Sequence, residues 1–290
     1  MLDSLLAADV VSFPTDADIN AFIACVRSFF SSQSDDHLPE IKYRSSTLIV
    51  GTHSIRLSVL APLVRSPKFK EVVRFPQTQR FIYDLAVAEP IHTFVTVERS
   101  EPHKNIVRAI NAYGELLKRR PDLTESTRFL LMLTPGPTHI SAYKRVSEEI
   151  RRAARKVNDL AKNSNPVRVY EENNFYRAIA ALSIYDTLVS VPVADGVGRS
   201  PLGGPIVNTK NGGMILSEND ATKGLFGDSV STVGITDIAG ISFAMEAAAD
   251  ESLESRFTKS EAILDILRSI DPTSAARQFL SELNEVDHTH

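Results

Sequence analysis

The chain has little of what would mark several classes of protein. It holds one cysteine and no tryptophan among 290 residues. A single thiol can build neither a disulfide framework nor a thiolate-rich metal site. Basic residues do not outnumber acidic ones, and the net charge is −4, so no surplus of cations draws the chain to nucleic acid. No apolar run reaches the roughly 18 residues of a membrane-spanning helix. No charged start followed by a short apolar stretch marks a secretory leader. The seven histidines show no metal-ligand spacing. His92 and His103 read as structural or surface residues, and His288 and His290 as a tail. No G-x-S-x-G elbow supports a nucleophilic serine. These absences describe a cytoplasmic chain with no metal, membrane or nucleic-acid partner.

What is present is alternation. A chain this long buries ~75% of its unfolded surface and has room for roughly two domains. From about residue 91, strand-like and helix-like stretches take turns, the pattern of an α/β fold with a doubly wound, mainly parallel sheet. His92 to Arg99 (HTFVTVER) reads as a strand. Ile106, Ile110, Tyr113 and Leu117 recur at helical spacing, and Pro121 ends that helix. Arg128 to Thr134 (RFLLMLT) reads as a strand covered on both faces. Tyr143, Val146, Ile150, Ala153, Val157 and Leu160 make one apolar stripe on the longest helix. Val167–Tyr170, Thr187–Val193 and Gly213–Ser217 read as further strands, and Phe175–Leu182 and Asp237–Ala249 as helices. A loop rich in glycine and proline spans Asp195 to Pro205, and helices fill 251–286.

The first 90 residues are less regular. Asp9–Phe13, Ser46–Gly51 and Ser54–Leu60 read as strands, Asp16–Phe30 as a helix and Ser31–Glu40 as a polar loop. Cys25 lies in an apolar helix and reads as a buried small hydrophobe. Met1 leads almost at once into structured sequence, as if the chain began in mid-protein. The expected organisation is a remnant of an N-terminal domain over 1–90, a Rossmann-like domain over 91–250 and closing helices over 251–290.

Ligands of open α/β sheets bind beyond the carboxyl ends of the strands. Two loops lie there. In V-E-R-S-E-P-H-K-N (97–105), Arg99 ends a strand and Lys104 precedes a helix. Arginine forks onto phosphate oxygens, and lysine adds a point charge. In V-A-D-G-V-G-R-S-P-L-G-G-P (193–205), glycines allow close backbone approach, and Asp195 can accept hydrogen bonds from sugar hydroxyls. The second loop is not a Walker A motif, since no G-K-[ST] follows. The basic run Arg151, Arg152, Arg155 and Lys156 lies opposite the apolar stripe of its helix, accompanied by Glu148 and Glu149, and reads as a solvated face.

These loops resemble the trehalose-6-phosphate synthase family of GT-B glycosyltransferases and its pseudo-glycosyltransferase relatives. The family's R-x-x-x-x-K strand exit is matched by Arg99 to Lys104, and its D-G-x-N-L by Asp195-Gly196-Val197-Gly198-Arg199. Its V-L-S-E is matched by the stretch ending at Glu218, its V-N-P-x-D by V-G-I-T-D ending at Asp237, and its L-L-A-A-D by residues 5–9. The resemblance implies a GT-B C-terminal domain that binds a nucleotide-sugar such as UDP-glucose or GDP-glucose. Arg99 and Lys104 would hold the diphosphate and act in catalysis without a metal or other cofactor. Asp195, Gly196, Val197, Gly198 and Arg199 would line the donor site. The implied reaction is glycosyl transfer with retention to a sugar phosphate or cyclitol phosphate.

The departures are specific. Gly203 stands where the family has a ribose-binding glutamate, Gly198 replaces an asparagine and Arg199 a leucine. Pro137 aligns with an acceptor-phosphate arginine, and Asn219 to Thr222 replace a turn of small residues. The family's acceptor-binding region lies upstream of L-L-A-A-D. The expectation is an enzyme incomplete as a single chain, with a partner chain supplying the missing half. The alternative is a catalytically inactive member that serves as a binding or regulatory subunit.

Overall fold

A computed structural model describes residues 2–31, 40–60, 67–86, 92–137, 139–161, 165–271 and 273–287. They group into two units, residues 1–64 with 270–290 and residues 65–269. Most of the expected 31–40 loop and both tail histidines lie outside the described residues.

The first unit opens with α1 (Leu2–Leu6), β1 (Val10–Phe13) and α2 (Asp16–Ser31). Thr15 caps α2, since its hydroxyl accepts the Asp18 N–H at 3.2 Å and donates to the Asp18 carboxylate at 2.6 Å. A meander of β2 (Ile41–Arg44), β3 (Thr47–Val50) and β4 (His53–Val59) follows. The sheet order is β1-β4-β3-β2, with β1 parallel to β4 and the other pairs antiparallel. Ile19, Phe22, Ile23 and Val26 of α2 pack with Leu48, Ile55 and Leu57. Cys25 falls outside this i, i+3, i+4, i+7 stripe and is exposed, not buried as its apolar neighbours suggest.

The second unit carries α3 (Pro76–Ala86) and then an unbroken strand–helix alternation. Its elements are β5 (His92–Arg99), α4 (Ile106–Arg119), β6 (Thr127–Thr134), α5 (Ser141–Asn158), β7 (Val167–Glu171) and α6 (Phe175–Ile184). They continue with β8 (Thr187–Ser190), α7 (Arg199–Val207), β9 (Gly213–Ser217), α8 (Lys223–Phe226), β10 (Ser231–Val233), α9 (Ile238–Ala249) and α10 (Leu253–Ser269). All six strands are parallel, in the order β10-β9-β8-β5-β6-β7. On one face α4 packs between α5 and α9, and on the other α6 packs between α3 and α7. Phe94, Phe129, Leu131, Leu133, Val189 and Ile215 meet the buried sides of α4, α5 and α9 in one core. This is the doubly wound sheet expected from the alternation. The last helix, α11 (Ser274–Asp287), returns to the first unit, where Glu282 accepts the Ser58 hydroxyl at 2.6 Å and Gln278 donates to the Val59 carbonyl at 3.1 Å.

Unit boundaries thus fall at other residues than 90 and 250. The helix α3 packs on α6, and α10 packs on α7 and β9, so both belong to the sheet's own unit. Arg199–Val207 is helical, although its composition suggests a loop as far as Pro205. Pro201 sits in the first turn, where a missing N–H is harmless. Gly204 lets the helix press close, since a Cβ there would lie 3.2 Å from Leu182 Cδ2. The strand β8 ends at Ser190, three residues before the expected Val193. Leu160, the last member of the expected stripe, follows the end of α5 and is 46% exposed. The basic residues of α5 face solvent as expected.

Candidate functional site

The chain builds the sheet outward from β5 through β6 to β7, then returns along α6 to place β8 on the other side of β5. The direction of winding reverses between β5 and β8. A crevice opens there beyond the carboxyl ends of the strands. The two loops singled out in the sequence flank it.

Lys104 is held on the β5 side. Pro102 starts a single 3-10 turn that ends at Lys104. Asn105 follows with φ of 60°, a left-handed conformation that asparagine tolerates. Its buried amide donates to the Val191 and Ile235 carbonyls at 2.9 and 2.8 Å, which ties the start of α4 to the loops after β8 and β10. Lys104 thereby points into the crevice. Its Nζ lies 2.6 Å from Asp195 Oδ2 and 2.8 Å from Glu98 Oε2. All three side chains are less than one-fifth exposed. Burial works against the ammonium charge, but the two carboxylates outweigh it and hold the Lys104 pKa above the ordinary lysine value.

Arg99 is placed differently. Its side chain is 61% exposed and pairs with Glu101 at 2.9 Å. His103 lies 3.6 Å from the same carboxylate. The structure brings Lys104 and Asp195 together, while Arg99 stands at the rim on its own acid.

The loop after β8 is stitched to the loop after β9. The Asp195 N–H donates to the Asn219 carbonyl at 3.2 Å, the Ala221 N–H to the Asp195 carbonyl at 3.3 Å and the Asn219 amide to the Val193 carbonyl at 2.9 Å. Asp195 and Asp220 form an isolated parallel bridge. Gly196 has open space where a Cβ would stand, whereas a Cβ at Gly198 would meet Pro201 Cδ at 3.0 Å and lie 3.6 Å from Asp220 Oδ2. Arg199 then begins α7, and its neighbour Ser200 donates to the Val97 carbonyl at 2.6 Å, fixing the helix start to the end of β5.

Behind Lys104 lies a layer that the sequence motifs did not single out. Asp220 is buried and accepts hydrogen bonds from the Thr222 N–H at 2.9 Å, the Thr222 hydroxyl and the Ser190 hydroxyl at 3.1 Å. Ser190 Oγ also lies 3.4 Å from Glu98 Oε1. Burial pushes both the Glu98 and the Asp220 carboxyls above the usual range, against the opposing pull of Lys104 on the first and of Thr222 and Ser190 on the second. The signal for Glu98 was a lone carboxylate near the end of an apolar strand.

Next to this cluster a cavity of about 280 Å³ opens over the ends of β5, β6 and β7, lined by Val97, Tyr170, Phe175, Arg177, Arg199 and Gly203 among others. Arg177 is stacked over the Phe81 and Tyr170 rings and paired with Glu172. Arg199 is exposed at the cavity wall. Two motif acids lie apart from the Lys104 cluster. Asp237 caps α9 by accepting the Gly240 N–H at 2.8 Å, and Glu218 is exposed. Among the described residues no group of three or more His, Cys, Asp or Glu side chains is arranged to hold a metal, and no helix is long and apolar enough to cross a membrane.

A doubly wound parallel sheet with a crevice at its switch point defines the class of ligand-binding open α/β domains. Residues 1–285 match the model of glycosyltransferase family 20, and the chain belongs to that family. The chain is 26% identical to the validamine 7-phosphate valienyltransferase of Streptomyces hygroscopicus subsp. jinggangensis, over 86% of this chain and 47% of that protein. It is 21% identical to the trehalose-6-phosphate synthase of Mycobacterium leprae, over 98% of this chain and 58% of that protein. The chain therefore spans about half the length of these relatives. The crystal structure of a UDP-forming alpha,alpha-trehalose-phosphate synthase from Burkholderia vietnamiensis shares the fold, with a TM-score of 0.87 at 19% identity over 99% of this chain and 62% of that one.

Proposed function

We propose that the chain carries the donor-binding half of a retaining family 20 glycosyltransferase or pseudo-glycosyltransferase. The carrying observation is Lys104 at the switch point, bridged to Asp195 across the crevice. In this reading Lys104 and the rim residue Arg99 receive the donor diphosphate. Asp195, released from the lysine by that anion, accepts sugar hydroxyls together with the backbone of residues 196–199. Charge that develops on the departing nucleoside diphosphate meets preorganised cations, which lowers the barrier with no metal in the scheme. The nucleoside occupies the cavity beside Gly203. A uridine diphosphate donor is supported by the UDP-forming structural neighbour. The acceptor is a sugar phosphate or a cyclitol phosphate, the second supported by the valienyltransferase relative. Residues 1–64 are read as part of the acceptor-side domain.

Calorimetric titration with nucleoside diphosphates and their glucose conjugates tests this reading. Binding that weakens in Arg99→Ala and Lys104→Ala is expected. No binding, together with no effect of either substitution, sinks it. Turnover of a nucleotide-sugar with glucose 6-phosphate by this chain alone is expected to be low or absent.

Gly203 favours a second reading. In it the chain is a catalytically inactive member whose altered site serves as a binding or regulatory subunit. Turnover restored by adding an acceptor-side partner separates the two.

A further inference from the structure

The cation at the centre of the crevice is outnumbered. Lys104 from the turn after β5, Asp195 from the loop after β8 and Asp220 from the loop after β9 are the charged groups that face Glu98 among the described residues, with the Ser190 hydroxyl of β8 beside them. One ammonium meets three carboxylates. A diphosphate that reaches Lys104 brings further negative charge into a space where water screens poorly. Ser190 has one proton and two carboxylate neighbours, at 3.1 Å from Asp220 and 3.4 Å from Glu98. A proton on Glu98 Oε1 resolves both conflicts. The Glu98 O–H then donates to Ser190 Oγ, Ser190 donates to Asp220, and Lys104 loses one of its two anionic competitors.

We propose that Glu98 is a positioning residue for Lys104: ionised, it holds the ammonium against Asp195, and it takes up one proton from solvent when a phosphate oxygen reaches Lys104. This rests on the reading of the crevice as a diphosphate site. Burial, which already raises the Glu98 and Asp220 carboxyls, favours the uptake.

The experiment is titration calorimetry of the full chain with inorganic pyrophosphate and with uridine diphosphate. It is run in buffers of different ionisation heat, from about pH 5 to about pH 8. Binding to the wild type is expected to take up about one proton, with affinity falling by up to about tenfold per pH unit as pH rises. In Glu98→Gln the uptake disappears, and so does the part of the pH dependence not due to the ligand's own ionisation. Ser190→Ala keeps every charge but removes the acceptor for the Glu98 proton, so its uptake shrinks. If Glu98→Gln does not fold, the wild-type buffer dependence and Ser190→Ala carry the test. Binding without proton uptake, or unchanged uptake in these variants, overturns the proposal and leaves the donor reading standing. No binding of either ligand at any pH overturns both.

Discussion

Lys104 Nζ and Asp195 Oδ2 lie 2.6 Å apart although 91 residues separate them in the chain. The contact closes the crevice between β5 and β8. Lys104→Met leaves Glu98 and Asp195 facing each other with no cation between them. A loss of ~1–3 kcal/mol is expected, the range for a buried polar group left without its partner. Adding Asp195→Asn to that variant should recover part of the loss, because it removes the Glu98–Asp195 repulsion. Melting temperatures of the four members of the cycle measure the coupling.

Gly203 offers room for a side chain, since a Cβ there meets nothing nearer than Phe69 Cε1 at 4.0 Å. Gly203→Glu would supply a carboxylate at the wall of the cavity. Affinity for a nucleoside diphosphate is expected to rise by about tenfold relative to inorganic pyrophosphate, the scale of one hydrogen bond to a charged group. Equal change for both ligands would show that the nucleoside lies elsewhere.

Arg256 of α10 reaches Asp186 at 3.0 Å, and both side chains are less than one-tenth exposed. The other Asp186 oxygen accepts the Thr93 N–H at 2.9 Å. Arg256→Ala leaves that carboxylate buried without its cation and is expected to cost ~3 kcal/mol or more. Loss of the cooperative unfolding transition at moderate temperature would report it. A change within ~0.5 kcal/mol would contradict it, as that is the size of an ordinary surface substitution.

His92 is buried against Thr187, at 2.9 Å, and its pKa falls from 6.5 to about 3. Burial is the main cause, with the positive charge of Arg256 acting in the same direction. The unfolded chain takes a proton at this site below pH 6.5 and the folded chain does not. The stability contributed is therefore whole above pH 6.5 and is lost as pH falls toward 3, by ~1.4 kcal/mol per unit. His92→Gln should flatten the acid limb of a melting-temperature profile. An unchanged profile would place the acid sensitivity in other groups.

The sheet of the second unit was legible because burial on both faces leaves a strong mark. HTFVTVER and RFLLMLT have few residues that suit anything but a covered strand, and β5 and β9 fall where expected. The strands β2 and β10 escaped notice because IKYR and STV are short and largely exposed, with no alternation long enough to register. The helix α7 was hidden by its own glycines and prolines, which serve close packing and an N-terminal turn rather than a loop. Arg99, Lys104 and Asp195 were singled out as candidates because strand-end position and motif spacing are sequence properties. Asp220 and Ser190 were not, because their part in the cluster depends on neighbouring strands that meet only in the folded sheet.

The paired loops after β8 and β9 have a thermodynamic consequence. The isolated Asp195–Asp220 bridge links the two loops a few residues beyond the last regular pair, Ser190 with Leu216. The entropy of ordering the aspartate's backbone is therefore lost when the chain folds rather than when a ligand arrives. In the donor-site reading its carboxylate needs only to exchange the Lys104 ammonium for a ligand hydroxyl. Association at this wall should then be limited by that exchange of partners and not by the closing of a loop.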